Sequence, residues 1–365
     1  MNVLTLNAGS SSLKYAIHAV NDGRAKRIES NAVEVEPTAQ AFSQATAAAI
    51  EEALRTHLPI DALGHRIVFG GPDDLPAFAD PGLLARLSAF EALDPLHAPG
   101  ALACLRLALQ RFPERPQVVC FDTAFFREMP AAARRLPIPV KDPVFLRRYG
   151  FHGLSYEYVR SELRDDLHGR SIIAHLGSGA SLAALRDGEP IDTTMGFSSL
   201  GGVVMATRPG DLDPGVLLYL LEEGGMSVAA LRTLLEQQSG LRAISGGEGD
   251  LRLLLERRAD AHVNAAVDAF VISVVKAAGA LSAVLGGLDT LVFTGGIGEH
   301  LPEVRRRVVD ALAYLGIRIN DAANAVSAAV ISDTSSRVIV RVIATDENAA
   351  IAYRTAETIE HHQGV

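Results

Sequence analysis

The chain has 365 residues, of which 48% are hydrophobic, and it carries a formal net charge of −9 with a pI near 5.7. This length favours two domains over a single core, and the apolar content argues against disorder. Because a phosphate backbone is bound by a basic face, the acidic balance argues against a nucleic-acid-binding protein.

Cysteine usage and apolar stretches indicate the compartment. Cys104 and Cys120 both lie in apolar runs, and two cysteines are too few for a disulfide framework, so we expect reduced, buried thiols in a cytoplasmic protein. The chain begins with a strand pattern rather than a signal peptide. The longest apolar stretch, 263–285, contains Asp268 and Lys276, whereas a membrane span needs about 20 residues nearly free of charge. It predicts a buried helix and no membrane partner.

A strand–turn–strand pattern opens the chain and recurs near its middle. Residues 3–17 predict two short strands around a turn of small polar residues, and residues 171–185 predict a second such unit. Gly9 and Gly177 stand at matching places in the two turns. Small residues there let backbone N–H groups approach a phosphate closely, although Gly and Ser are common in turns of every kind. The repeat predicts two lobes of similar build that face one ligand.

The first half continues as alternating helices and strands. After the polar stretch 21–37, apolar periodicity predicts helices over 38–57, 81–93 and 100–111 and strands over 62–69 and 117–121. Arg66 lies in the strand 62–69 beside His65. A buried arginine needs an anionic partner, so Arg66 predicts either a structural ion pair, which is the ordinary case, or an anionic ligand.

Two further residues of the first half are candidates for chemistry. Asp122 follows the strand 117–121, and ligands of α/β sheets bind beyond the carboxyl ends of strands, which predicts a contact to Mg²⁺ or a ribose. A helix N-cap explains the same position equally well. His97 lies between Pro95 and Pro99 on a rigid loop, where a histidine is more often a surface residue than a catalytic one.

The second half follows a proline-rich, basic passage between lobes over 130–143. Helices are predicted over 156–167, 214–223, 227–238, 251–258, 259–285, 302–315 and 349–360, and strands over 288–293 and 338–344. The first of these strands runs into a glycine turn at 294–298, an order that sets a nucleotide against backbone amides, although one such turn is a weak signal. Arg208 offers a rigid fork of donors suited to carboxylate or phosphate.

Ten strings of this sequence together resemble the acetate kinase family, within the acetate and sugar kinase/Hsc70/actin superfamily. They are LNAGSSSLKY, GHRIVFGG, PLHAP, FDTAF, YGFHGLS, HLGSGASL, DTTMGF, ATRPGDLDP, FTGGIGE and ATDEN. Each string alone is weak, whereas all of them in the family's order, within a resemblance that runs from Leu4 to Ile351, are highly specific.

The resemblance implies an α/β fold of two duplicated actin-like (ribonuclease H-like) lobes, with a nucleotide and substrate cleft between them, and a homodimer. The implied lobes are 1–126 with 348–365, and 127–347. It implies reversible transfer of the γ-phosphoryl group of ATP to acetate, giving acetyl phosphate and ADP. Mg²⁺ is the implied metal, with Mn²⁺ as an alternative.

The resemblance also implies a catalytic set, carried over residue by residue. Arg66 and Arg208 would clamp the carboxylate and the transferred phosphoryl group, His152 would donate a hydrogen bond to the transition state, and His97 belongs to the same set. Acetate is ionised at neutral pH, since carboxyl pKa values are roughly 4 to 5. A carboxylate nucleophile has no proton to lose, so the implied reaction needs alignment and charge neutralisation rather than a general base.

The implied metal site consists of Asn7, Asp122 and Glu347, with the two acids binding directly or through water. We therefore expect Asp122 to act as a metal ligand and not as a base. The implied nucleotide contacts are Lys14, His175, Leu176, Gly177, Ser178, Gly179, Asp250, Leu251, Arg252, Gly296, Ile297, Gly298, Glu299 and His300.

Some positions depart from the family's usual residues. They are Phe69 and Phe126 (histidine), Ala98, Ser178, His300 and Asp346 (asparagine), Ser199 (proline) and Gly201 (glutamate). Phe69 and Ser199 border the implied acyl pocket, so the choice between acetate and propionate stays open, with butyrate more distant. A non-catalytic ATP-binding clamp is the alternative of a different class, but such a clamp has no use for Arg66, His152 and Arg208.

Overall fold

The computed structural model describes residues 1–164 and 169–363. They form two compact units: unit 1 comprises 1–127, 151–158 and the described part of 346–365, and unit 2 comprises 128–150 and the described part of 159–345. The lobe boundaries expected from the sequence assign 151–158 to the second lobe, whereas these residues belong to unit 1.

The elements alternate along the chain as an α/β protein requires. The strands are β1 (Asn2–Ala8), β2 (Ser12–Asn21), β3 (Arg24–Glu34), β4 (Ala62–Ile67), β5 (Ala77–Phe78), β6 (Gln117–Phe121), β7 (Arg170–Leu176), β8 (Ala180–Arg186), β9 (Glu189–Thr193), β10 (Thr290–Thr294) and β11 (Ile339–Val342). The helices are α1 (Ala39–Arg55), α2 (Pro81–Ser88), α3 (Ala98–Arg111), α4 (Ala131–Arg134), α5 (Gly153–Leu163), α6 (Pro214–Glu222), α7 (Val228–Gln237), α8 (Gly240–Ser245), α9 (Leu251–Leu255), α10 (Ala261–Leu285), α11 (Gly295–His300), α12 (Pro302–Ala311), α13 (Asp321–Ala325) and α14 (Glu347–Gln363).

Unit 1 is built on a mixed sheet in the order β3-β2-β1-β4-β6-β5. β1 pairs antiparallel with β2 and parallel with β4, which pairs parallel with β6. Successive side chains of a strand point to opposite faces, so Leu4 and Leu6 of β1 pack in the core that contains Phe42 of α1. Val3 packs on the other face with Ile351 of α14. The carboxyl ends of β1, β4 and β6 therefore lie at one edge of a sheet that is covered on both faces.

Unit 2 repeats this arrangement with a sheet in the order β9-β8-β7-β10-β11. β7 pairs antiparallel with β8 and parallel with β10, and β10 pairs parallel with β11. The antiparallel hairpins β1–β2 and β7–β8 thus occupy the same place in their sheets. The repeat predicted from the two strand–turn–strand patterns is confirmed, and the sheet of each unit is mixed.

Several predicted elements differ from the observed ones. β3 (Arg24–Glu34) was not predicted, because nearly all its residues are exposed and no apolar alternation marks it. The segment expected as a glycine turn after β10 is the short helix α11. The predicted helix 156–167 begins earlier, at Gly153 of α5, and part of its expected end lies outside the described residues. The predicted helices 81–93 and 302–315 are shorter than expected. α2 ends at Ser88 and α12 at Ala311, and a separate 3₁₀ turn follows each of them.

α10 is long and apolar enough to cross a membrane by length and composition, which is weak evidence for such a role. One side of α10 is buried in unit 2, through Val263, Phe270 and Val274 among others. Ile272 and Val284 are exposed. The prediction of a buried helix is therefore correct for one face only.

Both cysteines are buried and free, as predicted. Burial raises the pKa of Cys104 to about 11 and that of Cys120 to about 12. Both thiols are therefore protonated at neutral pH, and because the thiolate is the reactive form, they are inert.

Candidate active site

Three charged or polar side chains stand at the carboxyl edge of the unit 1 sheet. Asn7 lies near the end of β1, Arg66 near the end of β4, and Asp122 directly after β6. The register pairs Arg66 with Cys120, two residues before Asp122. Because β1, β4 and β6 are parallel neighbours, their carboxyl ends bring these side chains together.

Arg66 joins this group by direct hydrogen bonds. Its Nε and Nη2 donate to the two carboxylate oxygens of Asp122 at 3.0 and 2.6 Å, and its Nη1 donates to the amide oxygen of Asn7 at 3.1 Å. The amide of Asn7 donates in turn to Glu347 Oε2 at 2.9 Å, and this oxygen is 3.8 Å from Arg66 Nη1. In this structure Asp122 is thus the anionic partner of Arg66, and its carboxylate accepts from the guanidinium at both oxygens.

Burial strengthens the electrostatics of this pair. The exposed fraction is 10% for the Arg66 side chain and 1% for that of Asp122. Burial raises the pKa of the Asp122 carboxyl, and the Arg66 guanidinium opposes that rise. Burial alone would lower the pKa of Arg66, but the carboxylates of Asp122 and Glu347 raise it above its ordinary value. Arg66 therefore remains a cation at neutral pH.

His152 is held next to this edge in an unusual backbone conformation. Its φ is +63°, in the left-handed region that non-glycine residues rarely adopt and that occurs preferentially at functional sites. The next residue, Gly153, starts α5 and donates its N–H to the carbonyl of Asp122 at 2.9 Å. A Cβ atom on Gly153 would lie 2.0 Å from that oxygen, so only glycine permits this approach. This hydrogen bond holds the main chain next to His152 against the main chain of Asp122.

His97 is less exposed than its loop position suggested. Its side chain is 13% exposed, and its Nδ1 is 2.7 Å from Asp94 Oδ1. His97 is also close enough to lower the pKa of Asp122, as one of the smaller contributions. The expectation of a surface histidine is wrong, because the ring is mostly buried and is held by Asp94. Asp94 itself was missed in the sequence, where the only signal was an aspartate three residues before the histidine.

Lys14 lies across the first hairpin from Asn7, its partner in the β1–β2 register, and its side chain is exposed. The intervening turn is closed by the Gly9 N–H, which donates to the Ser12 carbonyl at 2.8 Å. Lys14 therefore stands on the strand that returns from the first small-residue turn.

In unit 2, two glycine-rich segments lie side by side. β7 and β10 are parallel and pair Thr294 with His175, so the segments that follow them, 175–179 and 295–300, are neighbours. Gly295 has φ +76°, and a Cβ atom there would come within 2.7 Å of the Leu176 carbonyl. The Gly177 N–H donates to the Gly179 carbonyl at 3.1 Å. Backbone groups rather than charged side chains dominate this edge.

The loop that carries Arg208 is tied to the first of these segments. The Ala206 N–H donates to the Ser178 carbonyl at 3.1 Å. The Arg208 side chain is buried, and its Nη1 donates to the Ser199 carbonyl at 2.9 Å. The structure thus places Arg208 beside the segment 175–179. The carbonyl that helps to orient the Arg208 side chain belongs to Ser199, one of the positions that depart from the family's usual residues.

The predicted nucleotide contacts at 250–252 differ among themselves in exposure. Asp250 caps α9 by accepting from the Arg252 N–H at 2.8 Å, and Asp250 and Arg252 are both exposed. Leu251 is buried, so its side chain belongs to the core and only its main chain is free for a ligand. In the other segment, His300 is 76% exposed, whereas Gly298 is buried.

Comparison with known proteins decides the family. The model of the Acetokinase family matches residues 2–353. The chain belongs to the acetokinase family. An acetate kinase from Nitrobacter hamburgensis is 43% identical over 97% of this chain and 95% of its own length, and one from Rhizobium meliloti is 41% identical over 98% of each.

Solved structures agree with this assignment. A propionate kinase from Francisella tularensis superposes with a TM-score of 0.86 at 33% identity, over 98% of this chain and 99% of that one. Acetate kinase from Porphyromonas gingivalis gives a TM-score of 0.83 at 32% identity, with the same coverage. The family and the two-lobe α/β fold class predicted from the sequence are thereby confirmed.

The donor set of this acetokinase fits the metal that its family implies. Across residues 1–164 and 169–363, no group of three or more His, Cys, Asp or Glu side chains is placed to hold a metal by itself. Mg²⁺ needs no such cage, because it binds through one or two carboxylates and keeps water and substrate phosphates as its other ligands. Asn7, Asp122 and Glu347 offer two carboxylates and an amide oxygen, all hard ligands that already meet at Arg66.

Three of the positions in unit 1 that depart from the acetokinase pattern have clear packing or ion-pair partners. They are Phe69, Phe126 and Asp346. Phe69 packs edge-on against Phe90 at 5.7 Å between ring centroids, and Phe126 against Tyr156 at 5.6 Å. Asp346 lies 3.5 Å from Arg27 and caps α14 through the Ala349 N–H at 3.0 Å. These substitutions leave the contacts of Arg66 in place.

Proposed function

We propose that this chain is an acetate kinase, which reversibly transfers the γ-phosphoryl group of ATP to acetate and gives acetyl phosphate and ADP. The observation that carries the proposal is the buried group of Arg66, Asp122, Asn7 and Glu347 at the carboxyl edge of the unit 1 sheet. It combines a permanent cation with hard oxygen donors. A carboxylate acceptor and a metal-bound phosphate need those two kinds of group.

Arg66 would bind the acceptor carboxylate, because its planar fork matches two carboxylate oxygens. Its bidentate contact with Asp122 supports this role, because it is the kind of carboxylate contact that the guanidinium fork makes. Since acetate is ionised at neutral pH, the reaction removes no proton from it, and no residue here needs to act as a base. Asp122 therefore serves as a metal ligand and as a partner that orients Arg66.

Mg²⁺ would be held by Asp122 and Glu347, directly or through water, with Asn7 beside them; when bound, it neutralises phosphate charge. Mn²⁺ would fit the same oxygen donors. His152 would donate a hydrogen bond to the transferred group, and its constrained backbone limits the positions its ring can take. His97, oriented by Asp94, completes this set.

The residues of unit 2 would bind the nucleotide and the group in transfer. Arg208 would contact the phosphoryl group, where a preorganised cation lowers the barrier. The segments 175–179 and 296–300 would line the phosphates and the adenosine through their main chains, together with 250–252. Lys14 would add a cation from the first hairpin.

Propionate is the second candidate substrate. The solved propionate kinase at 33% identity favours it, and so does Ser199 at a position where the resemblance leads us to expect proline. The test is a hydroxamate assay for acyl phosphate with ATP, Mg²⁺ and acids of two, three or four carbons, and Arg66→Lys as the control. Acetyl phosphate formation by the wild type well above that of Arg66→Lys is expected. Equal, background yields from both proteins would refute the proposal, and a higher yield with propionate would reassign the substrate.

The proposed enzyme acts as a homodimer in the cytoplasm. Support for a dimer comes from α6, in which every residue is partly or fully exposed although the helix is strongly apolar. Leu218 and Tyr219 of α6 and Val228 of α7 are 55%, 63% and 70% exposed. α6 and α7 are in contact, and exposed apolar side chains grouped on neighbouring helices are typical of protein–protein contacts.

A further inference from the structure

Arg305 of α12 is a fully buried arginine that no part of the proposed mechanism uses. Its Nε donates to Asn324 Oδ1 at 2.8 Å, and its Nη1 donates to the carbonyls of Gly298 and Glu299 at 2.8 and 2.9 Å. Its Nη2 donates to the Asn324 carbonyl at 2.7 Å and to Ser327 Oγ at 3.0 Å. An arginine has five N–H groups, so all of them are used, and every acceptor is a neutral oxygen.

Neutral acceptors make this arginine unusual. Buried arginines ordinarily face a carboxylate, because an uncompensated charge is costly to remove from water. Burial lowers the pKa of Arg305 to about 10, which still leaves the guanidinium protonated at neutral pH. An apolar side chain would fill the same space without this cost. The arginine must therefore supply something that an apolar residue cannot, which is its rigid fork of donors.

The fork acts on α11, the segment that follows β10. The last carbonyls of a helix lack partners within the helix, and two of these in α11, those of Gly298 and Glu299, accept from Arg305. The Glu299 carbonyl also accepts from Ser327 Oγ at 2.8 Å. At the other end, Glu299 Oε1 accepts from the Gly295 N–H at 2.9 Å and from the Thr345 N–H at 3.1 Å. Hydrogen bonds from Arg305 and Ser327 at one end, and to the Glu299 carboxylate at the other, thus hold both ends of α11.

Glu299 has a different part in this arrangement from the one its position implied. The resemblance placed residues 296–300 around the adenosine, but the Glu299 carboxylate is turned towards main-chain N–H groups and is 14% exposed. Its side chain therefore holds the segment, and the ligand contacts remain with the main chain and with exposed neighbours such as His300.

We propose that Arg305 is a positioning residue for the nucleotide: through the carbonyls of Gly298 and Glu299, it holds α11 in the conformation that the nucleotide contacts at 296–300 require. The inference rests on the proposed function for the identity of the ligand. Arg305 is fully buried and acts through α11 rather than by contact with the nucleotide. A lysine at this position has one donor centre and cannot reach both α11 carbonyls and Asn324 together.

The test compares three variants by calorimetric titration with MgADP and by steady-state kinetics, at a temperature where thermal melts show each protein folded. Arg305→Lys removes the fork. Ser327→Ala removes one acceptor of Arg305 and one donor to Glu299 while leaving the arginine in place. Arg170→Lys is the matched control, since Arg170 also ties unit 2 together, through Asp289 and the Gly286 carbonyl.

Arg305→Lys is expected to raise the dissociation constant for ADP and the KM for ATP by about 10- to 100-fold, because small displacements of a binding segment have effects of this size. The KM for acetate should not change. Ser327→Ala should show a smaller rise of about fivefold, as for one neutral hydrogen bond. Arg170→Lys should lower the melting temperature and leave ADP binding as in the wild type.

Wild-type ADP affinity in folded Arg305→Lys, or an equal loss in Arg170→Lys, would overturn the inference. If Arg305→Lys does not fold, unchanged ADP binding by Ser327→Ala overturns it. A wild type that makes no acyl phosphate refutes the proposed function alone, because the ADP titrations still decide the role of Arg305.

Discussion

Replacing Asp122 by asparagine tests whether this carboxylate binds metal or moves a proton. Asparagine keeps the shape of the side chain and one oxygen acceptor, but it removes the negative charge. In the wild type both Asp122 oxygens accept from Arg66, at 3.0 and 2.6 Å. The variant retains at most one of these contacts, and the nearest remaining carboxylate oxygen, Glu347 Oε2, is 3.8 Å from Arg66 Nη1.

Two separate magnitudes follow from this geometry. Removing one partner of a buried ion pair costs about 3 to 5 kcal/mol, and retention of an acceptor places Asp122→Asn at the lower end, near 3 kcal/mol. Removing a charged ligand of a hard cation should lower the affinity for Mg²⁺ by about 10- to 100-fold. The first effect appears in denaturant unfolding without ligands, and the second in the dependence of turnover on Mg²⁺ concentration.

Asp74→Asn provides the matched control. Asp74 is as deeply buried as Asp122 in the same unit, and its ion-pair partner is Arg127, at 3.5 Å, instead of Arg66. The Asp74→Asn variant should have a lower free energy of unfolding than the wild type, and its turnover should depend on Mg²⁺ as in the wild type. Asp122→Asn should regain part of its turnover as Mg²⁺ is raised, and its pH–rate profile should keep every limb of the wild type. Turnover that ignores Mg²⁺ while one pH limb disappears would show that Asp122 is a base, and the metal assignment would fail.

Three other predictions concern separate parts of the molecule. Arg208→Lys should lower kcat/KM by about two to three decades, because a buried charge-assisted contact is worth about 2 to 4 kcal/mol in the transition state; near-normal turnover of acetate would contradict this role. Burial lowers the pKa of His65 to about 4, so as the pH falls from about 6.5 to about 4 the unfolded chain gains a proton that the folded chain does not. Denaturant unfolding should therefore show a loss of up to about 3 kcal/mol over this range, which His65→Gln should lack. Leu218→Glu combined with Tyr219→Glu should turn the proposed dimer into a monomer in light scattering; an unchanged mass would exclude α6 as the contact.

Sequence patterns predicted the elements in which apolar and capping residues reflect which side chains are buried and where the element ends. β6 (Gln117–Phe121) is buried along its whole length and was recognised as a continuous apolar run. α1 has its Thr38 cap and an apolar stripe, and its predicted span differs by one or two residues at each end. β3 carries no such pattern, since it is an exposed edge strand stabilised by main-chain pairing with β2. Pairing of this kind leaves no mark in the side chains.

For a related reason, the sequence predicted several residues of the candidate site but not the contacts between them. Asp122 and Arg66 were each found by their place in a strand, but their bidentate contact depends on which strands are neighbours, and spacing along the chain does not contain that order. The inward orientation of His97 depends on Asp94, whose carboxylate gave no signal of its own. The roles of Arg305 and Glu299 lie in contacts to main-chain oxygens and N–H groups, which any residue offers. Such contacts are visible only in the folded chain.

The two sheets show how one topology supplies two kinds of binding edge. β1–β4–β6 and β7–β10–β11 are equivalent sets of parallel strands, and their registers place Arg66 and Asp122 at the positions that Thr294 and Thr345 occupy in unit 2. In unit 1 these positions carry a cation and an anion, which suit a carboxylate substrate and a metal ion. In unit 2 both positions are uncharged, and Thr294 is followed directly by Gly295, where main-chain groups could approach a polyphosphate. Placing a charged residue at Thr345, next to the N–H that Glu299 accepts from, would disturb the segment that Arg305 holds. The proposed assignment of the acceptor to one edge and the nucleotide to the other therefore depends on a few side chains at equivalent strand ends, on a strand order that the two units share.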